Sequence, residues 1–193
     1  DLALAVSGLL DDRIGGPSVR PRQPAEYANL TYANSAKWVV SSAGDAYRRG
    51  LYTFFQRTSP YPMLMTFDAP DSNACCATRS LSNTPLQALT LWNDPVFFEC
   101  AQALGRRIAQ HRSLELSESD LASKVSFAFL LCLSRDPSPA EVDDVLDLYR
   151  YQHGRAAASP AMARAIAACR ASSSFNPGAR SSASPQIPVP PTR

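Results

Sequence analysis

The sequence predicts an all-α protein, an irregular helical domain with a long ordered loop region and a disordered C-terminal tail. Three observations carry that expectation. A capping residue stands directly before proline at Thr84-Pro85, Asp94-Pro95, Ser138-Pro139 and Ser159-Pro160. Apolar residues recur at helical spacing over the segments that begin near 95, 118 and 139. No segment alternates as a half-buried strand would. Proline is favoured at the first helical position because its missing N–H would be unpaired there anyway. The side-chain oxygen before it caps a free amide, a contribution of about 1 kcal/mol.

Taken in order, LALAVSGLL reads as the closing turns of a helix, and the chain as a fragment of something longer. Residues 11–46 read as a connector, whose GGPS and RPRQP pieces are turn chemistry. Short helices are expected from Leu51 to Arg57 and from Pro85 to Trp92. From Pro95 to Gln110, Phe97, Ala101, Leu104 and Ile108 share a stripe, with Glu99, Gln102 and Arg106 opposite. From Glu118 to Leu133 the stripe is Leu121, Val125, Phe129 and Cys132. Phe127, Leu130 and Leu131 widen it, so this helix is expected to be the most buried. From Pro139 to Gln152 the stripe is Val142, Val145, Leu146 and Tyr149. Glu141, Asp143 and Asp144 lie early in that helix, where the dipole favours negative charge. Ser138 with Glu141 forms a capping box. Residues 171–193 hold six Ser and five Pro without periodicity and read as a disordered tail behind one helical domain over 1–170.

The composition excludes several classes. At 193 residues, 45% apolar and 19% charged, the chain is long enough for one domain with a real core. A net charge of +2 gives no broad field for nucleic acid or an anionic membrane. No apolar run is long enough to span a bilayer. Of 19 basic residues only Lys37 and Lys124 are lysines. Arginine's planar fork suits carboxylates and phosphates, although a coding bias towards Arg is the simpler reading. The 5 cysteines show no paired spacing, so they are not a disulfide framework. Without CxxC or CxxCH, neither a zinc knuckle nor covalent haem attachment is encoded. Cys100, Cys132 and Cys169 read as small hydrophobes on helix faces.

Residues 47 to 95 are the informative stretch, a long irregular segment rich in arginine and aromatics. A loop of this length is usually functional or disordered, and its apolar content argues for order. Arg48, Arg49, Arg57 and Arg79 either converge on an anionic ligand or pair with Asp68 and Asp71 to pin the loop. Asp68 and Asp71 are a carboxylate pair such as glycoside hydrolysis uses, but Asp-Ala-Pro-Asp is also turn chemistry. Asn83, Thr84 and Asp94 read as caps. His111 and His153 fall near expected helix C-termini, where an imidazolium suits the dipole. No HExxH, GxSxG or phosphate-binding glycine loop is present, and no metal set can be assembled. Cys75-Cys76 reads as a redox or metal site, against which adjacent cysteines rarely form a strain-free disulfide and no histidine lies nearby to complete a metal set. Cys75 is expected to turn inward beneath the helix at Pro85, leaving Cys76 more exposed.

The blocks DDRIGGPSVRP (11–21), YRRGLYTFFQRTSPYPMLMTFDAPD (47–71) and NTPLQALTLWNDP (83–95) resemble the planctomycete-type Domain of Unknown Function 1553 family, from Leu2 to about Leu148. The resemblance implies an exported, periplasmic or envelope-associated multidomain protein, often carrying a cytochrome-c-like module. Any haem would belong to an upstream domain, and this chain itself needs no cofactor. The family supplies no established catalytic residues. Arg48, Arg49, Asp68, Asp71, Cys75, Arg79, Asn83 and Gln87 keep the family's residue types. Thr78 stands where the pattern more usually has a second arginine, Phe55 where it has a tryptophan, and Cys76 is an addition. The expected function is therefore a non-catalytic helical module. Its 47–95 region would bind a neighbouring domain of the same polypeptide, or a polysaccharide or other anionic ligand. Arg48, Arg49, Arg57, Asp68, Asp71, Arg79, Asn83 and Gln87 are the candidate ligand-binding residues. The alternative is a polysaccharide-acting hydrolase using Asp68 and Asp71.

Overall fold

A computed structural model describes residues 1–24, 37–42, 44–57, 59–70, 75–111, 117–160 and 164. Among them are six α-helices, two 3-10 turns and no strand. The helices are α1 (Leu2–Ser7), α2 (Pro62–Thr66), α3 (Pro85–Asn93), α4 (Pro95–Ala109), α5 (Glu118–Leu133) and α6 (Pro139–Ala158). The turns cover Asp45–Tyr47 and Gly50–Tyr52. The chain divides into two compact units, Asp1–His153 and Gly154–Arg193. Only 154–160 and 164 of the second are described. The tail expected over 171–193, Cys169 and most of a helix after Ser159-Pro160 lie outside the described residues.

Local chemistry places the helix starts. Thr84 Oγ1 accepts from the Gln87 amide at 3.3 Å while Gln87 Oε1 accepts from the Thr84 amide at 3.2 Å, a reciprocal capping box. Asp94 Oδ1 accepts from the Val96 amide at 2.8 Å and starts α4. Ser117 caps α5 through the Asp120 amide at 3.2 Å. The Ser138 amide donates to Glu141 Oε2 at 2.8 Å, the capping box that the sequence predicts for α6. Asn83 caps nothing among the described residues; Thr84 holds that position. α1 ends at Gly8, whose φ of +79° is left-handed and disfavoured for residues with a Cβ.

α4 is the hub. α1, α3 and α5 each pack on it, and α2 packs on α3. Val96, Cys100 and Ala103, spaced four and three apart, form its buried face. Against it α1 buries Ser7, whose Oγ donates to Leu4 O at 3.0 Å. These small side chains let the two helices approach closely, and burial pushes the Cys100 thiol up. Arg107 near the end of α4 donates to Ala5 O at 3.3 Å and Val6 O at 2.7 Å, closing α1.

The connector is threaded along this hub. Asp11 bridges Arg48 and Val19 bridges Thr53, both in parallel sense. Val19 is 2% exposed. Trp38 donates from Nε1 to Pro21 O at 2.7 Å and stacks on Tyr61, with ring centroids 5.7 Å apart. Tyr61 donates to Arg22 O at 2.7 Å, and burial raises its hydroxyl pKa. Glu99 of α4 pairs with Arg22 at 2.5 Å and accepts from Tyr47 at 3.1 Å.

Several expectations are corrected. No α-helix spans Leu51–Arg57; a 3-10 turn ends at Tyr52. Val19 then takes the chain over, donating to Tyr52 O at 2.8 Å and accepting from Phe54 at 2.7 Å, which holds the backbone extended. α2 was not expected, because Tyr61 before Pro62 offers no capping oxygen. α4, not α5, carries the buried apolar face. The innermost residues of α5 are Lys124 and Val125, and Lys124 pairs with Asp120 at 2.7 Å. Leu130, Leu133 and Cys132 are exposed, so Cys132 is not a core hydrophobe. His111 does follow a helix C-terminus and stacks on Phe127, centroids 3.8 Å apart. His153 lies inside α6, which runs on to Ala158.

The capping box yields a direct test. Thr84→Ala should lower unfolding free energy in urea by about 1 kcal/mol, whereas Thr84→Ser should stay within about 0.5 kcal/mol of the parent.

Candidate functional site

The stretch from α2 to α3 closes on itself at a narrow neck. After Thr66 the chain turns through Asp68, a non-glycine residue at a φ of +57°. Asp68 Oδ2 accepts from the Ser82 amide at 2.9 Å, from Ser82 Oγ at 2.6 Å and from Gln87 Nε2 at 3.3 Å. Arg79 Nε donates to Asp68 O at 2.8 Å, and its Nη2 donates to Phe67 O. Gln87 is buried, and its Nε2 also reaches Thr66 O at 3.0 Å and Ser82 Oγ at 3.0 Å. The Ser82 hydroxyl, the Ser82 amide and Gln87 together hold the Asp68 carboxyl below its ordinary range, with a smaller pull from Arg79. Here three sequence candidates, Asp68, Arg79 and Gln87, do come together.

The others are dispersed. Arg48 is 4% exposed and its guanidinium lies over the Tyr52 ring, 3.8 Å from the centroid. It donates to Pro17 O at 3.1 Å, to Arg13 O at 3.0 Å and to Gly15 O. Tyr52 Oη accepts from the Gly15 amide at 2.8 Å, completing the clamp on the GGP turn. Gly16, at a φ of +90°, leaves room for this approach; a Cβ there would stand 3.4 Å from Arg48 Nη1. Arg49 lies 4.0 Å from the Asp1 carboxylate. Arg57 and Asn83 are exposed, and Asp71 lies outside the described residues. Of the candidate arginines, Arg48 and Arg79 therefore hold backbone carbonyls.

A cleft of about 410 Å³ runs between α1, the 46–53 segment, α2 and α4. Leu4, Leu51, Met63, Leu64, Phe67 and Phe97 line it, with Asp1, Arg48 and Arg79 among its polar neighbours. Among the described residues no group of three or more His, Cys, Asp or Glu is placed to hold a metal ion.

Among the described residues, α3 presents a group of exposed apolar side chains. Its buried Gln87 faces inward, yet Leu86 is 60%, Leu89 59% and Trp92 85% exposed. Residues 80–93 contain no charged side chain. A helix's apolar stripe is normally its buried one. Ser82, Leu86, Leu89 and Trp92 are not among the sequence candidates. In PLQALTLW the polar Gln87 and Thr90 share one side of the helix and Leu86, Leu89 and Trp92 lie across from it, which is the available signal. Cys75 and Cys76 are both exposed, so the expected inward turn of Cys75 is overturned. The space beneath the start of α3 is taken by Gln87 and Asp68.

Comparison with protein families matches residues 1–149 to one described as PSD1, protein of unknown function (DUF1553). No curated protein and no solved structure matches the chain.

Two tests follow from the neck and the clamp. Asp68 has a lowered folded pKa, so its contribution is present above its unfolded value near 3.8 and is lost as pH falls through the folded value below that. Asp68→Asn should therefore melt lower than the parent at pH 6, and the two melting temperatures should converge on acidification below pH about 4. Arg48→Met removes a charged donor from three carbonyls and should cost about 3 kcal/mol in chemical denaturation. Arg48→Lys should recover only part, because an ammonium lacks the planar fork.

Proposed function

We propose, for a chain that belongs to the DUF1553 family of proteins of unknown function, that this is a non-catalytic docking module. On this reading the outer face of α3 seats a neighbouring domain of the same polypeptide. The observation that carries it is the solvent-facing row of Leu86, Leu89 and Trp92 on a helix with no charge. Water around such a row is released when a complementary apolar surface covers it, at roughly 25 cal/mol per Å². Interfaces of this kind concentrate their energy in a few aromatic and aliphatic anchors. The neck of Asp68, Arg79, Ser82 and Gln87 supports the same reading by fixing where α3 begins, so that the row is presented on a rigid element.

The other readings have less support. An anionic or carbohydrate ligand would need free guanidinium donors, yet Arg48 and Arg79 direct theirs to backbone carbonyls. A hydrolase would need an Asp68 carboxylate facing substrate, yet one of its oxygens is engaged by Ser82 and Gln87.

The two tryptophans make the docking reading measurable, since Trp38 is 9% and Trp92 85% exposed. In the polypeptide that includes the neighbouring domains, acrylamide should quench Trp92 far less than in the 193-residue chain. Leu89→Asp should restore the quenching while changing the stability of the isolated module by no more than about 0.5 kcal/mol. Trp92→Ala should weaken association by about 2 kcal/mol, near thirtyfold. Equal quenching of Trp92 with and without the neighbouring domains would end this reading.

A further inference from the structure

Cys75 and Cys76 are consecutive and both exposed, within the 69–81 stretch whose ends are joined by Asp68, Arg79 and Ser82. We propose that this pair is a redox-modification site, a vicinal dithiol that takes a small-molecule disulfide as its oxidant. One cysteine attacks the disulfide as thiolate, forming a mixed disulfide and releasing one small thiolate. The neighbouring cysteine, as thiolate, attacks the protein sulfur of that mixed disulfide. The Cys75–Cys76 bond forms, the bond to the small molecule breaks, and a second small thiolate leaves. Two protein thiols thus lose two electrons and two protons, and one disulfide is reduced to two thiols.

Adjacency makes the second step intramolecular and its product labile. The resolving sulfur is held on the next residue, so closure needs no second protein molecule, and the strain of the small ring opposes it. Consecutive Cα atoms stand about 3.8 Å apart across a trans peptide, short of the roughly 4.4–6.8 Å that an unstrained disulfide spans. A strained, exposed disulfide belongs to the easily reduced, reversible class. The pair differs in this from Cys100, which is buried, and from Cys132, which is exposed but has no cysteine beside it in the sequence. Oxidation also has a structural consequence. Cys76 Sγ donates to Thr78 O at 3.1 Å, and a disulfide sulfur has no hydrogen to donate. That bond lies one residue from Arg79, whose guanidinium holds the Phe67 and Asp68 carbonyls. Oxidation of the pair thus removes a hydrogen bond beside the neck.

Trypsin releases residues 58–79 as one peptide containing Cys75, Cys76 and no other cysteine. The folded protein is treated with oxidised glutathione, quenched in acid, alkylated and digested. The expected peptide is unalkylated and lighter than the dithiol form by two hydrogens, and dithiothreitol returns both alkylation sites. Cys75→Ser and Cys76→Ser should each instead carry one glutathione on the remaining cysteine. Both variants change exposed side chains and should fold as the parent does. The proposal is overturned if the parent peptide is alkylated at both cysteines under conditions that modify Cys132. It is equally overturned if the peptide carries two glutathiones or is linked to a second chain.

Discussion

Much of this backbone between the helices has no regular partner, so its carbonyls have to be satisfied by side chains. A buried carbonyl without a donor costs about as much as a lost hydrogen bond, and among the described residues only two isolated bridges supply a ladder. The molecule meets that constraint with long, multi-donor side chains aimed back at the main chain. Arg48 serves Arg13, Gly15 and Pro17; Arg79 serves Phe67 and Asp68; Arg107 serves Ala5 and Val6. Trp38, Tyr61 and Gln87 do the same for Pro21, Arg22 and Thr66. Remove these donors and the GGP turn, the Pro21–Arg22 stretch and the neck lose much of what fixes their conformation.

This accounts physically for part of the arginine excess. A guanidinium is planar, with five donors in a rigid fork, so one residue can bind neighbouring carbonyls with less loss of freedom than a lysine's rotatable ammonium. The sequence alone presents those arginines as a coding bias or as an anion clamp. Once folded, Arg48 and Arg79 of the candidate region are engaged with backbone. Their donors are spent on backbone, while the outer face of α3 stays apolar and open to solvent.

The helices themselves were largely legible. Thr84, Asp94 and Ser138 cap the amides that their position before proline indicates, because capping depends on residues within three of one another. The bounds of α4 and α5 follow for the same local reason. The candidate site was half legible. Asp68, Arg79 and Gln87 were singled out and do meet, but their partner Ser82 was not, since nothing in a serine's neighbours announces that its amide and hydroxyl face a carboxylate fourteen residues earlier. Cys75 was misplaced because burial at one position depends on what already fills the space, and Gln87 fills it.

By itself the sequence determined the helical class, the starts of α3 to α6 and the span that matches the family, all properties of short-range pattern and residue order. The tertiary structure alone decided that α4 is the hub, that Leu51–Arg57 is not an α-helix and that Arg48, Arg79 and Arg107 point at carbonyls. It also left the outer side of α3 uncovered. These depend on pairings across long stretches of chain, such as Val19 with Thr53 and Arg107 with Val6. The free energy of each such pairing is set by which groups water leaves, and that is a property of the folded neighbourhood rather than of any local window.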